Sequence, residues 1–101
     1  MQQFSVVISG FDHYDGIEVN PSYEVPRILS QQGIDGLDGV ELSISTVSLP
    51  VSFSKAWPLL SRTIEETKPD IVVATGLKRA ARGILLERCA TNIMGSSRPD
   101  V

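Results

Sequence analysis

Three groups of side chains in this 101-residue sequence could do chemistry. Glu87 ends the aliphatic part of the run Ile84-Leu85-Leu86-Glu87-Arg88. Strand-like patterning there predicts low dielectric and scarce water, a costly setting for a carboxylate without a partner or a task. One reading is a structural ion pair with Lys78, Arg79, Arg82 or Arg88. The other is that Glu87 orients a histidine acting as general base, as the third member of a Cys-His-acid set. The second group is Asp12, His13 and Asp15, in a loop of Phe11-Asp12-His13-Tyr14-Asp15-Gly16. Two carboxylates and an imidazole suit several divalent ions. A solvated turn has the same composition, however, and the spacing matches no metal motif. The third is Cys89, the single cysteine. On a strand it shares a face with Glu87, and a neighbouring carboxylate disfavours a thiolate. It reads as a buried structural thiol.

Composition narrows the function classes. A hydrophobic content of 42% with 21% charged residues fits a globular chain and not a disordered one. One domain spanning residues 1–101 is expected at this length. The net charge of −3 gives no basic footprint, so no nucleic-acid partner is expected. One cysteine excludes an internal disulfide and points to a reducing compartment; one cysteine and one histidine are too few for a structural zinc site. The N-terminal Met1-Gln2-Gln3-Phe4 does not open a signal peptide or a membrane span. A cytoplasmic protein with no membrane partner and no cofactor is the expectation.

The elements that must position these groups follow in chain order. Residues 4–8 form a first strand ending at Ser9-Gly10. Its carboxyl end delivers the aromatic loop, which is where open α/β sheets bind ligands. Asn20-Pro21 starts a helix to about Gln31, expected to bury Val25, Ile28 and Leu29 and to be kinked at Pro26. Gly33, Gly36 and Gly39 mark a turn. From Val40 to Thr46 the residues alternate, as in a half-buried strand near an edge, closed by Leu49-Pro50. Ser52 or Ser54 can cap a second helix, whose face Phe53, Trp57, Leu60 and Ile64 is expected in the core. Lys68-Pro69-Asp70 stops it. The run Ile71-Val72-Val73-Ala74 then reads as a central strand buried on both faces. Strand, helix, strand, helix, strand with such crossovers predicts a three-layer α/β/α fold with a mainly parallel sheet.

Several segments together carry a family resemblance. They are Gly10-Phe11-Asp12-His13-Tyr14-Asp15-Gly16, Asn20-Pro21-Ser22, Leu49-Pro50-Val51-Ser52-Phe53, Lys68-Pro69-Asp70-Ile71-Val72-Val73, Gly76-Leu77, Ile84-Leu85-Leu86-Glu87-Arg88, Asn92 and Arg98-Pro99-Asp100. In order and spacing this set resembles the N-terminal half of pyroglutamyl-peptidase I, also called pyrrolidone-carboxylate peptidase. The resemblance implies a truncated α/β/α unit from a family of cytosolic cysteine peptidases that remove N-terminal pyroglutamate from peptides. It implies Glu87 and Asp100 as the matched catalytic-site acids. Phe11 and Tyr14, the latter in place of the usual phenylalanine, would pack on the pyroglutamyl ring, and Asn20 would stand beside that pocket. Aromatic walls with few polar contacts suit a planar lactam.

The sequence also departs from the family's pattern. The family's nucleophilic Cys and its His belong to a C-terminal half beyond Val101, and neither Cys89 nor His13 matches a catalytic position. Lys78-Arg79-Ala80-Ala81-Arg82 lacks the family's glycines before the glutamate, and Gly95-Ser96-Ser97 replaces an Asp-Ala-Arg run. Three functions are therefore expected to compete. One is a pyroglutamyl peptidase whose missing half supplies thiolate and imidazole, so that this chain alone is inactive. The second is a non-catalytic half-domain that binds pyroglutamyl groups, self-associates, or pairs with a complementary C-terminal half. The third is a metal hydrolase using Asp12, His13 and Asp15.

Overall fold

The first strand, β1, is the apolar centre of a parallel sheet because Val6, Val7 and Ile8 carry β-branched side chains to both of its faces. These three and Ser9 are buried. The structure is a computed structural model and describes residues 2–12, 20–77 and 82–87. Its elements are β1 (Gln2–Phe11), α1 (Pro21–Gln32), β2 (Val40–Leu49), α2 (Ala56–Thr67) and β3 (Ile71–Ala74). The strand order is β2-β1-β3 and both pairings are parallel, with Val6 opposite Ile44 on one side and Ile71 on the other. The α/β class with a parallel sheet is as expected. Since the chain crosses first to one side of β1 and then to the other, right-handed crossovers put α1 and α2 on opposite faces.

Helix α1 starts where Asn20 caps it. Asn20 is extended (φ −112°), and its side chain accepts from the Ser22 amide while Pro21 supplies a preset first turn. Pro26 has no N–H to offer the Ser22 carbonyl four residues back. That carbonyl instead lies against β1: a Cβ at Gly10 would sit 1.6 Å from Ser22 O. Strand and helix thus meet backbone to backbone, and only glycine fits at the contact.

The buried face of α1 differs from the expected one. Ser22 and Pro26 are its buried residues, Leu29 is half-buried, and Val25 and Ile28 are exposed. The close approach at Gly10 turns the Ser22–Pro26 stripe, four residues apart on one face, toward the sheet and leaves Val25 and Ile28 on the flank.

The next boundaries agree with their local chemistry. Gly33, Gly36 and Gly39 all have positive φ, which makes the tight descent into β2. Along β2, Leu42 and Ile44 are partly buried while Glu41, Ser43 and Ser45 are exposed, and β2 lies at the edge of the described sheet. The serine cap expected for α2 is not formed, since its N-cap is Lys55 with no side-chain cap bond; Ser52 instead closes the preceding turn, its Oγ accepting from Lys55 N (3.2 Å) and its carbonyl from Ala56 N (3.2 Å). Lys68 ends α2 in the left-handed region (φ 47°), and Pro69 prevents continuation. Asp70 then locks the start of β3 to β1, its carboxylate accepting from Ser5 N at 2.8 Å and its amide donating to Ser5 O at 2.9 Å.

Three expectations about burial are corrected. β3 is the other edge of the three described strands rather than a central strand, and all four of its residues are exposed. α1 packs mainly on β1 and β2, and α2 mainly on β2. Phe53 and Trp57 are exposed, Trp57 at 63%, while Leu60 and Ile64 are half-buried. The aromatic pair is therefore not core among the described residues. Residues 84–87 form no strand: Ile84 and Leu86 are 98% and 93% exposed, and Glu87 is exposed as well. The low-dielectric setting inferred for Glu87 is not present, because no described element packs over this segment.

Candidate functional site at the carboxyl ends of the strands

β1 and β3 are neighbours in the sheet, and their carboxyl ends lie side by side. Phe11 ends β1 and Gly76 follows β3 at this point. A Cβ at Gly76 would lie 3.8 Å from Phe11 Cε2, so the ring rests over the glycine backbone. Thr75 secures the floor beside it, with its amide and its hydroxyl both donating to Ser9 O (2.9 and 2.8 Å).

The other flank of Phe11 is held by a chain of side-chain hydrogen bonds. Phe11 N donates to Ser22 Oγ (3.1 Å), and Ser22 Oγ donates to Asn20 Oδ1 (2.8 Å). Asn20 Oδ1 also accepts from Ser22 N (3.0 Å), while its Nδ2 donates to the Asp12 carbonyl (3.2 Å). Asp12 is tied in turn to β2: its amide donates to Leu49 O (3.0 Å) and its carboxylate accepts from the Ser48 hydroxyl. Asn20 is fully buried, and an amide buried this way must spend its polar atoms on partners. It does so by joining the end of β1 to the start of α1.

Arrangement and sequence expectation compare as follows. Phe11, Asp12 and Asn20 are brought together at one end of the sheet. Tyr14, His13, Asp15, Cys89 and Asp100 lie outside the described residues. Glu87 is described and exposed, with no hydrogen-bond partner recorded among the described residues. Sequence reasoning missed Ser22, Ser48, Gly10 and Gly76 as parts of the framework. The signal available for Ser22 was its place two residues after an N-cap; Ser48 had none, since it reaches Asp12 across 36 residues of chain. Behind this network, on the α1 face, a cleft between α1 and β2 is lined by Tyr23, Pro26, Arg27 and Thr46, with the Arg27 guanidinium 5.2 Å from the Tyr23 ring centre. Among the described residues no helix is long and apolar enough to cross a membrane.

A parallel sheet ordered β2-β1-β3, with an aromatic ring beside a glycine at the carboxyl ends of β1 and β3, defines an α/β fold of the open-sheet class. The chain belongs to the pyroglutamyl peptidase family: the sequence model described as "Pyroglutamyl peptidase" matches residues 4–101. It is 43% identical over 95 residues to a pyrrolidone-carboxylate peptidase of Thermococcus onnurineus, a match covering 94% of this chain and 44% of that one. A pyrrolidone-carboxylate peptidase of Pyrococcus furiosus is 34% identical over 98 residues, covering 94% and 43%. The crystal structure of a pyrrolidone carboxyl peptidase from Fervidobacterium islandicum superposes with a TM-score of 0.80 at 32% identity, covering 96% of this chain and 44% of that chain. The chain therefore spans less than half the length of these relatives, and the matched region is their N-terminal part.

Proposed function

We propose that the chain, as a single unit over residues 1–101, carries the pyroglutamyl-recognition part of a cytoplasmic cysteine-type omega peptidase that removes N-terminal pyroglutamate from peptides. The observation that supports this most is the placement of Phe11 beside Gly76 at the carboxyl ends of β1 and β3 in a family member. A flat lactam needs an aromatic wall and a close backbone floor. Tyr14 is assigned as the second wall. Asn20, being buried, acts from beneath the pocket by holding Asp12 and α1 in place.

Catalysis in this reading follows the thiol route. A cysteine thiolate attacks the scissile carbonyl, and polar donors hold the tetrahedral oxyanion. The leaving amine takes a proton from a histidine as the C–N bond breaks, and water hydrolyses the thioester to release pyroglutamic acid and the thiolate. Glu87 would hold that histidine's tautomer, and Asp100 is the second matched acid. These two assignments rest on the resemblance of their segments, since Glu87 is exposed and Asp100 lies outside the described residues. The thiolate and imidazole are assigned to a complementary C-terminal half, so the 101 residues alone are inactive. The alternative, a non-catalytic pyroglutamyl-binding or self-associating half-domain, is favoured by the open faces of β3.

A fluorogenic pyroglutamyl amide tests the reading. The expected result is no turnover by the 101-residue chain, together with saturable binding of 5-oxoproline that is weakened at least about tenfold, the worth of one aromatic contact, by Phe11→Ala. Turnover abolished by alkylating Cys89 would make Cys89 the nucleophile and overturn the assignment. Absence of 5-oxoproline binding would remove the pocket from this chain.

A further inference from the structure

We propose that the cleft between α1 and β2 is a second binding site, for a small carboxylate of amino-acid size, held through the Arg27 guanidinium and the Thr46 hydroxyl. The site is separate from the lactam pocket assigned above and does not rest on that reading. The cleft has a volume of about 210 Å³ and is lined by Ser22, Tyr23, Pro26 and Arg27 from α1 and by Thr46 and Ser48 from β2. Neither Phe11 nor Gly76 lines it. Drug-sized ligands occupy roughly 300 to 1,000 Å³, so this space suits something smaller.

The strand register shows that the cleft interrupts an otherwise ordinary packing pattern. Ile8 pairs with Thr46 and Gly10 with Ser48, which puts both hydroxyl residues on the face where Gly10 meets Ser22 of α1. The same face of β2 begins with Leu42 and Ile44, which are partly buried. A sheet face under a helix is normally apolar. β2 follows that rule up to Ile44 and then departs from it. Two successive hydroxyls on this face, beside an open cleft, are suited to a polar ligand rather than to packing.

The charge of that ligand follows from which hydrogen-bonding groups are already committed. Ser22 Oγ accepts from Phe11 N and donates to Asn20 Oδ1. Ser48 gives its hydrogen to the Asp12 carboxylate. The remaining donors are on Thr46, whose hydroxyl has no recorded partner among the described residues, and on Arg27. Arg27 lies over the Tyr23 ring, 5.2 Å from its centre, and a guanidinium stacked in this way keeps its N–H edges for other acceptors. Its ion pair with Glu24, at 3.6 Å, is longer than a hydrogen bond. Arg27 is thus the one charged group among the described residues of the lining, and it has donors to spare. A carboxylate matches it, since the guanidinium fork can meet both carboxylate oxygens. Tyr23 and Pro26 offer apolar surface to the carbon skeleton of the ligand.

The test titrates the isotope-labelled 101-residue chain with N-acetylalanine and, in parallel, with its uncharged counterpart N-acetylalaninamide, following amide shifts by NMR. Saturable shifts at Tyr23, Arg27, Thr46 and Ser48 are expected with the acid, at an affinity at least about tenfold above the amide, as for a charge-assisted hydrogen bond. Arg27→Gln lowers the affinity for the acid by at least about tenfold. Glu24→Gln raises it about twofold, because a partly exposed carboxylate that competes for Arg27 is removed. Excess 2-pyrrolidone, a lactam without a carboxylate, leaves the acid bound. No saturable shifts, equal affinity for acid and amide, an affinity that Arg27→Gln leaves intact, or a loss on Glu24→Gln would each overturn the proposal. Displacement by 2-pyrrolidone would put the probe beside Phe11 and overturn it as well.

Discussion

The two flanks of β1 are held by different means. On the β2 side, ten residues pair in register, α1 covers both strands, and Asp12, Asn20, Ser22 and Ser48 form a continuous polar network at the carboxyl end. On the β3 side, four residues pair, Asp70 and Thr75 pin the two ends to Ser5 and Ser9, and all four residues of the strand are exposed. The first flank is self-sufficient because its polar groups find partners within the described residues. The second has apolar surface without cover, so its energetics depend on what else is present.

The largest effect expected from breaking the first flank is at Gly10. A methyl group there would overlap the Ser22 carbonyl oxygen, a backbone atom that cannot rotate away. β1 and α1 must then separate, which exposes Val6 and Ile8 on that face and pulls Ser22 from Phe11. Gly10→Ala is expected to cost about 3 kcal/mol or more, at the upper end of overpacking. For a domain of this size that lowers the melting temperature by roughly 12 °C or more. Denaturant unfolding followed by circular dichroism measures it. A loss under about 1 kcal/mol would mean that the strand-helix contact yields easily and that the flank is not held by close backbone packing.

Asn20→Ala comes next. It removes an N-cap and leaves the Asp12 carbonyl and the Ser22 hydroxyl without their partner in a buried setting. Cap loss costs about 1 kcal/mol, and each stranded polar group adds about 1 kcal/mol, so a loss of about 2 to 3 kcal/mol is expected. Asn20→Asp sharpens the comparison: it keeps the acceptor for Ser22 but replaces the donor to Asp12 O with a buried carboxylate oxygen facing that carbonyl. An Asn20→Asp loss smaller than that of Asn20→Ala would make the helix cap the dominant contribution. Amide exchange at Phe11 and Asp12 separates the two.

Legibility in the sequence followed the range of the interactions. Asn20-Pro21, Lys68-Pro69 and the glycines at 33, 36 and 39 act on their own neighbours, so residue type alone placed the ends of α1, α2 and the turn. The alternation along β2 reported one wet face correctly. The pattern of Ile71-Val72-Val73-Ala74 was misread as evidence of burial. It reports the environment a strand is suited to, and the described residues give β3 one neighbouring strand, β1. The run 84–86 failed for the same reason, and took the setting of Glu87 with it. Ser48 and Gly10 were invisible as site-forming residues because their roles depend on strand register and helix approach, which residue type does not encode. Phe11 was legible because position at a strand's carboxyl end is itself a topological statement.

The smallest effect on this chain alone is expected at Trp57, in the first turn of α2. A tryptophan in a core costs about 3 to 5 kcal/mol to truncate. Trp57 is mostly exposed and no residue of α2 is buried, so Trp57→Ser removes little that folding has taken from water. The stability of the 101-residue chain should change by less than about 0.5 kcal/mol, as for surface substitutions. A large stability loss in the isolated chain would show that α2 packs more tightly than its exposure implies.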